Sequence, residues 1–354
     1  ESEETRTRIE LVCRNVANRA VVRLLLACSL AKADKPNVDI RKPYTAIEGA
    51  NTYSGRNYDE TYIGAFVIAY RLPCNQTTAF LTPALRNQSE PLTPETNLEG
   101  RPAAVYQAAL QLLTEVHEQI LSAEDLLAET IRWLLVVQEE NQQRTNTMLA
   151  SLKATEGATP LASEAIVTLI EQHLKTKGAS RLPVLVVAAA YQSAGNRIGE
   201  SVKPLQAHNA ADSQTGAMGD IEVTLIDADK VVTGYEMKLQ QVTRKDIDSA
   251  LNKISEQGMG IQNYIFITTD TIDVEVKDYA ASLYEATGGI EFVILDCIGF
   301  LRHFLHLFHR IRMEYIEAYQ MLVLSEPDSS VSQPVKEAWL ALRLAAESNG
   351  SSLD

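Results

Sequence analysis

Apolar residues recur at helical spacing through residues 4–33, as in "IELVCRNVANRAVVRLLLACSLA". That period lays an apolar stripe along one helix face. Residues 34–59 break it with Pro36, Pro43, Gly49 and Gly55, and read as a loop-rich segment. A helix is expected at 60–70, then the polar loop "RLPCNQTTAFLTPALRNQSEPLTPETNLEGRP". Long helices fit 102–121 and 123–153, and Ser122 followed by Asp125 is a capping-box-like start for the second. The texture changes near Gly157. Helices fit 161–176 and 183–195, strands 221–226 and 231–238, a helix 244–256 and a strand 262–268. A helix at 275–286, a strand at 291–296, a long helix at about 298–324 and a last helix at 333–347 follow. No internal repeat or low-complexity tract interrupts this order. The pattern predicts a mostly helical region over 1–155. It predicts an α/β (α+β) region over 156–354, with a mixed sheet flanked by helices.

Composition narrows the class. The chain has 354 residues, 45% hydrophobic and 22% charged, as ordinary globular proteins do. No apolar run is long enough to span a bilayer, and "ESEETRTRIE" reads as no signal peptide. Cys13, Cys28, Cys74 and Cys297 lie far apart, with neither zinc nor disulfide spacing, so a reducing cytoplasmic setting is expected. The formal net charge of −14 argues against nucleic acid on average. Between Arg41 and Gln88, however, five basic residues face three acidic ones, among many Asn, Gln, Thr and Tyr.

The sharpest chemistry lies in "MGDIEVTLIDADKVVTGYEMKLQ", residues 218–240. In the first strand Ile221, Val223 and Leu225 share one face, and Asp220, Glu222 and Thr224 the other. In the second, Val231, Thr233, Tyr235 and Met237 oppose Val232, Gly234, Glu236 and Lys238. Matching the apolar faces sets Ile221 opposite Tyr235, Val223 opposite Thr233 and Leu225 opposite Val231. Asp220 then stands opposite Glu236, with Glu222 and Lys238 close by. A slip by one residue would drive these charges into the apolar layer. The register requires an odd loop or a bulge around residues 227–229. Facing carboxylates repel, and a hard divalent cation removes that cost. Mg²⁺ takes one or two carboxylates plus water and phosphate oxygens. Lys238 points the same way, and the set has the parts for metal-assisted phosphodiester hydrolysis. Glu222 is either a third ligand or a solvated strand residue. Glu-x-Lys alone is weak, since about one match per chain of this size arises by chance. A second match, Glu275 and Lys277, falls at a helix start, where acidic residues compensate the dipole.

Asp220 at the start of one strand, then Glu236-x-Lys238 in the next, resembles the motif of the PD-(D/E)XK nuclease superfamily. Gly219 stands where that motif often has proline. The helices at 183–195 and 244–256 and the strand at 262–268 fit the superfamily core, and "ESVKPLQAH" is the candidate first strand. Within the superfamily the chain looks most like type II restriction endonucleases of the SacI-like group. The stretches "RKPYTAIEGANTYSGRNYDETYI", "LPCNQTTAFLTPALRNQ" and "QAHNAADSQTGAMGDIEV" carry that likeness. The resemblance implies a restriction-endonuclease-like fold and a Mg²⁺-dependent, usually homodimeric enzyme that cuts a short palindrome in double-stranded DNA. Asp220, Glu236 and Lys238 would be catalytic, with Asp220 and Glu236 as metal ligands.

Among the N-terminal residues, Arg56, Asn57, Arg71, Asn75, Gln76, Arg86, Asn87 and Gln88 are of types that read base edges. Ordinary loop polarity is the competing explanation. His303, His306 and His309 drift around a helix without a further ligand nearby, so a positive face is expected rather than zinc. Two other functions remain open at this point. One is a non-catalytic DNA-binding or assembly protein that retains a nuclease-like core. The other is a nuclease for RNA or branched DNA, since fold does not determine substrate.

Overall fold

The structure is a computed structural model that describes residues 2–17, 19–154, 160–205, 217–257 and 260–350. The chain divides into two compact units: Glu1–Asn146 with Pro327–Ser332, and Thr147–Glu326 with Gln333–Asp354.

The first unit is helical. Helices α1 (Glu3–Arg14) and α2 (Ala20–Asp34) replace the continuous helix that the pattern allowed. Asn15 makes the break: its side chain accepts from the Ala17 amide at 3.0 Å, and Arg19 donates to the Cys13 carbonyl at 3.0 Å. A helical stretch runs from Gly55 to Ala69, earlier than expected, as α3 (Gly55–Tyr58), a π turn (Asp59–Ile63) and α4 (Gly64–Ala69). Ser54 caps its start. Helices α5 (Ala103–His117) and α6 (Ala123–Lys153) follow, the latter passing from the first unit into the second after Asn146, and Ser122 accepts from the Asp125 amide at 2.9 Å as a cap should.

One buried ion pair organises the first unit. Arg23 on α2 and Asp59 in the π turn are 2% and 0% exposed and meet at 2.5 Å. Asp59 also accepts from the Thr78 hydroxyl and the Ala79 amide, and Arg23 donates to the Asn75 carbonyl. With its hydrogen bonds made in this way, the pair ties the loop at 75–79 to α2 and the π turn. Removing one partner would leave a buried charge alone.

The second unit is α+β. Helices α7 (Ser163–Leu174) and α8 (Leu182–Ile198) precede a five-stranded mixed sheet in the order β1-β2-β3-β4-β5. Its strands are β1 (Glu200–Val202), β2 (Ile221–Leu225), β3 (Val231–Lys238), β4 (Asn263–Thr268) and β5 (Glu291–Asp296). The first three are antiparallel neighbours; β3, β4 and β5 run parallel. The parallel crossovers are α9 (Arg244–Gln257) and α10 (Val274–Ala286). These two helices cover one face, where Val242, Ile247, Ala250, Ile254, Ala280 and Leu283 enclose Tyr264 and Phe266. On the other face Tyr235 meets Tyr191 of α8 and Phe300 of α11 (Cys297–Leu307). β1 ends before Pro204, and the rest of its expected segment, residues 206–208, lies outside the described residues.

The expected helix at 298–324 is two helices, α11 and α12 (Arg312–Ser325), separated by a 3₁₀ turn at His309–Ile311. No Gly or Pro marks the break. Arg312 stabilises it from a distance, donating to the His309 carbonyl at 2.9 Å and the Leu161 carbonyl at 2.7 Å. The last helix, α13, spans Gln333–Gly350.

His173 on α7 is fully buried between Tyr319 and Trp339. The Val335 carbonyl can only accept, so Nε2 carries the proton at 2.9 Å and Nδ1 accepts from the Tyr319 hydroxyl at 2.9 Å. Burial pushes its pKa down to about 4. The unfolded chain therefore binds a proton that the folded chain refuses as pH falls from about 6.5 to about 4. We expect this window to remove about 3 kcal/mol of stability. Urea unfolding at several pH values should show a steeper slope across this window in the native chain than in His173→Phe. An identical slope in both would contradict the assignment.

Candidate active site in the second unit

Strand β3 is hydrogen-bonded along both edges, and the candidate residues gather around it. The ladder with β2 pairs Ile221 with Tyr235, Glu222 with Gly234 and Val223 with Thr233. This is the register expected from face matching up to that point. The next pair is Thr224 with Val231, not Leu225 with Val231. The extra residue is thus Val232, a bulge inside the ladder and not in the loop at 227–229. The bulge turns Val231 to the face of Thr224, where it joins the core under α9 and α10. Leu225 pairs instead with Glu200 of β1 and is 48% exposed.

Asp220 lies one residue beyond this ladder. Its Oδ2 accepts from the Met237 amide at 2.8 Å, which ties the carboxylate to the backbone beside Glu236. Gly219 makes the approach possible. A Cβ there would stand 2.3 Å from the Tyr235 carbonyl oxygen. Proline carries the same atom and would meet the same carbonyl. Glu222 folds back on the same turn: Oε1 accepts from the Met218 amide at 2.8 Å, and Oε2 lies 3.4 Å from Lys203.

Glu236 and Lys238 project from one face of β3. The Lys238 ammonium lies 2.7 Å from Glu236 Oε1 and 3.0 Å from Asp246 Oδ1. Partial burial works against the charged ammonium, but hydrogen bonds and charge from Glu236 and Asp246 outweigh it and hold the pKa above the ordinary lysine value. For Asp246, burial raises the pKa, and the Thr243 and Lys238 contacts overcome that to lower it. Asp246 belongs to a capping box at the start of α9. Its Oδ2 accepts from the Thr243 amide at 2.9 Å and hydroxyl at 2.6 Å. Glu236 has a further partner in Tyr264, whose hydroxyl is 2.5 Å from Oε2 and 2.8 Å from the Met218 carbonyl.

Sequence reasoning missed Asp246 and Tyr264. For Asp246 the signal was present: "TRKD", starting five residues after Lys238, opens α9 as a Thr-x-x-Asp cap. Tyr264 had none, because only the pairing of Gly234 with Tyr264 across parallel strands puts its ring there.

Among the described residues no three His, Cys, Asp or Glu side chains form a metal-binding group. Two carboxylates beside an ammonium suit Mg²⁺, which completes its octahedron with water and phosphate oxygens, better than a closed zinc or calcium cage. His306 reaches Glu164 at 2.8 Å, with Arg302 on the same carboxylate. Glu275 sits in the first turn of α10, its amide capped by Asp273, as the dipole reading expected.

The candidate base-reading residues all belong to the first unit. Arg56 is exposed and pairs with Glu60 at 2.7 Å, one helical turn away, and Asn57 lies beside it on the same short helix. Arg71 and Asn87 adopt positive φ at turns, and Arg86 is exposed. Asn75 and Gln76 are half-buried, and the Asn75 carbonyl is used by Arg23. Gln88 donates to the Ala84 carbonyl at 3.2 Å.

Residues 159–269 match the family model of the SacI restriction endonuclease C-terminal domain. That stretch includes α8, β2, β3, α9 and β4, with Asp220, Glu236, Lys238, Asp246 and Tyr264 among its residues. It is similar to part of a restriction endonuclease, and the α+β fold of the second unit agrees with that likeness. A search of curated proteins found no matching relative. No helix among the described residues is long and apolar enough to cross a membrane.

The close approach at Gly219 yields a test of the local geometry. Gly219→Ala should displace the turn that carries Asp220, at a cost of about 1–3 kcal/mol for forcing a methyl into occupied space. Chemical denaturation measures this directly. Unchanged stability would mean that the turn lies farther from Tyr235 than described.

Proposed function

We propose that the chain is a Mg²⁺-dependent endonuclease of the PD-(D/E)XK type, resembling the SacI-like group. It would cut both strands of duplex DNA at a short palindromic site. The observation that carries this reading is a coincidence of two independent facts. The stretch similar to a restriction endonuclease domain contains the hairpin on which the Asp220 carboxylate is bonded beside Glu236 and Lys238.

Asp220 and Glu236 would hold the cation. A bound Mg²⁺ supplies charge stabilisation at the phosphate and a water of lowered pKa. Lys238 stays protonated and presents its ammonium to a phosphoryl oxygen as negative charge develops there. Asp246 gives that ammonium a second partner, so it would stay at the site when Glu236 is shared with the cation. Glu222 is assigned a structural role, since one oxygen accepts from the Met218 amide in the turn before β2 and the other faces Lys203 just after β1.

Asp220→Ala, Glu236→Ala and Lys238→Ala should each abolish cleavage of a varied plasmid substrate in Mg²⁺. DNA binding should persist, because recognition contacts lie elsewhere. Discrete bands from the native chain and none from the variants would support the proposal. Undiminished cleavage by Glu236→Ala would refute the mechanism. DNA binding without any cleavage by the native chain would favour a non-catalytic DNA-binding protein.

Recognition is proposed for the locally basic segment Arg41–Gln88, in which Arg56 and Arg86 are exposed and of a type that reads guanine. A palindrome is most simply read by a homodimer. With a net charge of −14, DNA must approach a limited basic face, so binding should weaken steeply with salt. Arg56→Ala and Arg86→Ala should relax sequence preference by about 1–3 kcal/mol per lost base contact and leave thermal stability intact. Footprinting, with light scattering of the free and DNA-bound chain, measures both points. A monomer on DNA with unchanged footprints would overturn this part of the proposal.

A further inference from the structure

We propose that Tyr264 is a positioning residue: its hydroxyl orients the Glu236 carboxylate for the cation and ties it to the turn that carries Asp220. This rests on the reading of the site given above.

Tyr264 is fully buried, and its partner across the β3–β4 ladder is Gly234. A Cβ on Gly234 would lie 3.2 Å from Ile261 Cδ1 and 3.4 Å from Cδ2 and Cε2 of Tyr264, so the ring packs directly against β3 at the position without a side chain. Phe266 and Phe292 hold the ring from the side, with centroids 5.3 Å and 5.8 Å away. The hydroxyl is thereby delivered to two acceptors, Glu236 Oε2 at 2.5 Å and the Met218 carbonyl at 2.8 Å.

A phenol has one proton, and one acceptor would satisfy it. A tyrosine serving only the core needs no carboxylate, and phenylalanine would pack as well. The contact with Glu236 instead completes the constraint on that side chain. Oε1 is held by Lys238 and Oε2 by Tyr264, so the plane of the carboxylate is defined by two partners on different strands. Met218 lies two residues before Asp220, so the same hydroxyl, whose one proton the two acceptors share, also borders the turn that carries the other proposed ligand. Partners that orient metal ligands typically contribute 10–100-fold to metal affinity.

The test is calorimetric titration of MgCl₂ into the metal-free full chain, comparing the native protein with Tyr264→Phe and Glu236→Gln. The native chain should bind, Glu236→Gln should lose measurable binding, and Tyr264→Phe should weaken it about 10–100-fold. Its thermal midpoint should move little, because the ring is retained. Equal affinity in the native chain and Tyr264→Phe would overturn the positioning role and leave the nuclease reading standing. No Mg²⁺ binding by the native chain would overturn both. As a readout that keeps the tyrosine, 3-fluorotyrosine at position 264 should give a ¹⁹F resonance that shifts with Mg²⁺, and not in Glu236→Gln. A resonance indifferent to Mg²⁺ in the otherwise native chain would count against the proposal.

Discussion

Strand β3 has neighbours on both edges, antiparallel β2 on one side and parallel β4 on the other, and the candidate site depends on that double pairing. Alternation along the strand sends Tyr235 to the face of α8 and α11, and Glu236 to the face of α9 and α10. The ladder with β2 brings the Asp220 turn to the end of β3. The ladder with β4 brings Tyr264 under it. A slip of either register would exchange the carboxylate and the aromatic ring between faces, at the cost of burying charge.

Charge at the site is balanced by neighbours, not by solvent alone. Lys238 bridges Glu236 and Asp246, and Asp246 spends its second oxygen on the start of α9. The ammonium, two carboxylates and a helix N-terminus thus form one network, in which each charged group gains from the others. The first unit uses the same principle for a different end. Arg23 and Asp59 are buried with their hydrogen bonds made by Thr78, Ala79 and the Asn75 carbonyl, and no exposed chemistry results.

The Val232 bulge and the Gly219 turn are two local departures on the same hairpin. The bulge absorbs the odd residue within the ladder, so the pairs nearest the site keep the register that their apolar faces favour. Gly219 lets the backbone approach Tyr235 to a distance that any Cβ would forbid. Together they leave the end of the hairpin next to Glu236 regular on β3 and tightly turned before β2.

Much of this was determined by the sequence alone. Hydrophobic patterning located β2, β3, β4 and β5 to within a residue or so, and matched apolar faces set Ile221 opposite Tyr235 and Val223 opposite Thr233. Those patterns are local, because a strand's faces are written in consecutive residues. That Glu236 and Lys238 share one face of β3, with Asp220 just before β2, was legible for the same reason. The position of the bulge, the breaks at Asn15 and Phe308, the π turn at Asp59 and the contacts of Tyr264 and Asp246 were decided by tertiary structure. Each depends on a partner distant in the chain or on a backbone fit without a sequence signature. Arg312 satisfies the break in one helix pair through Leu161 and His309, and Tyr264 reaches Glu236 because a parallel crossover of more than twenty residues returns β4 beside β3. Local periodicity records which face a residue prefers; only the packed sheet determines which side chain waits there to meet it.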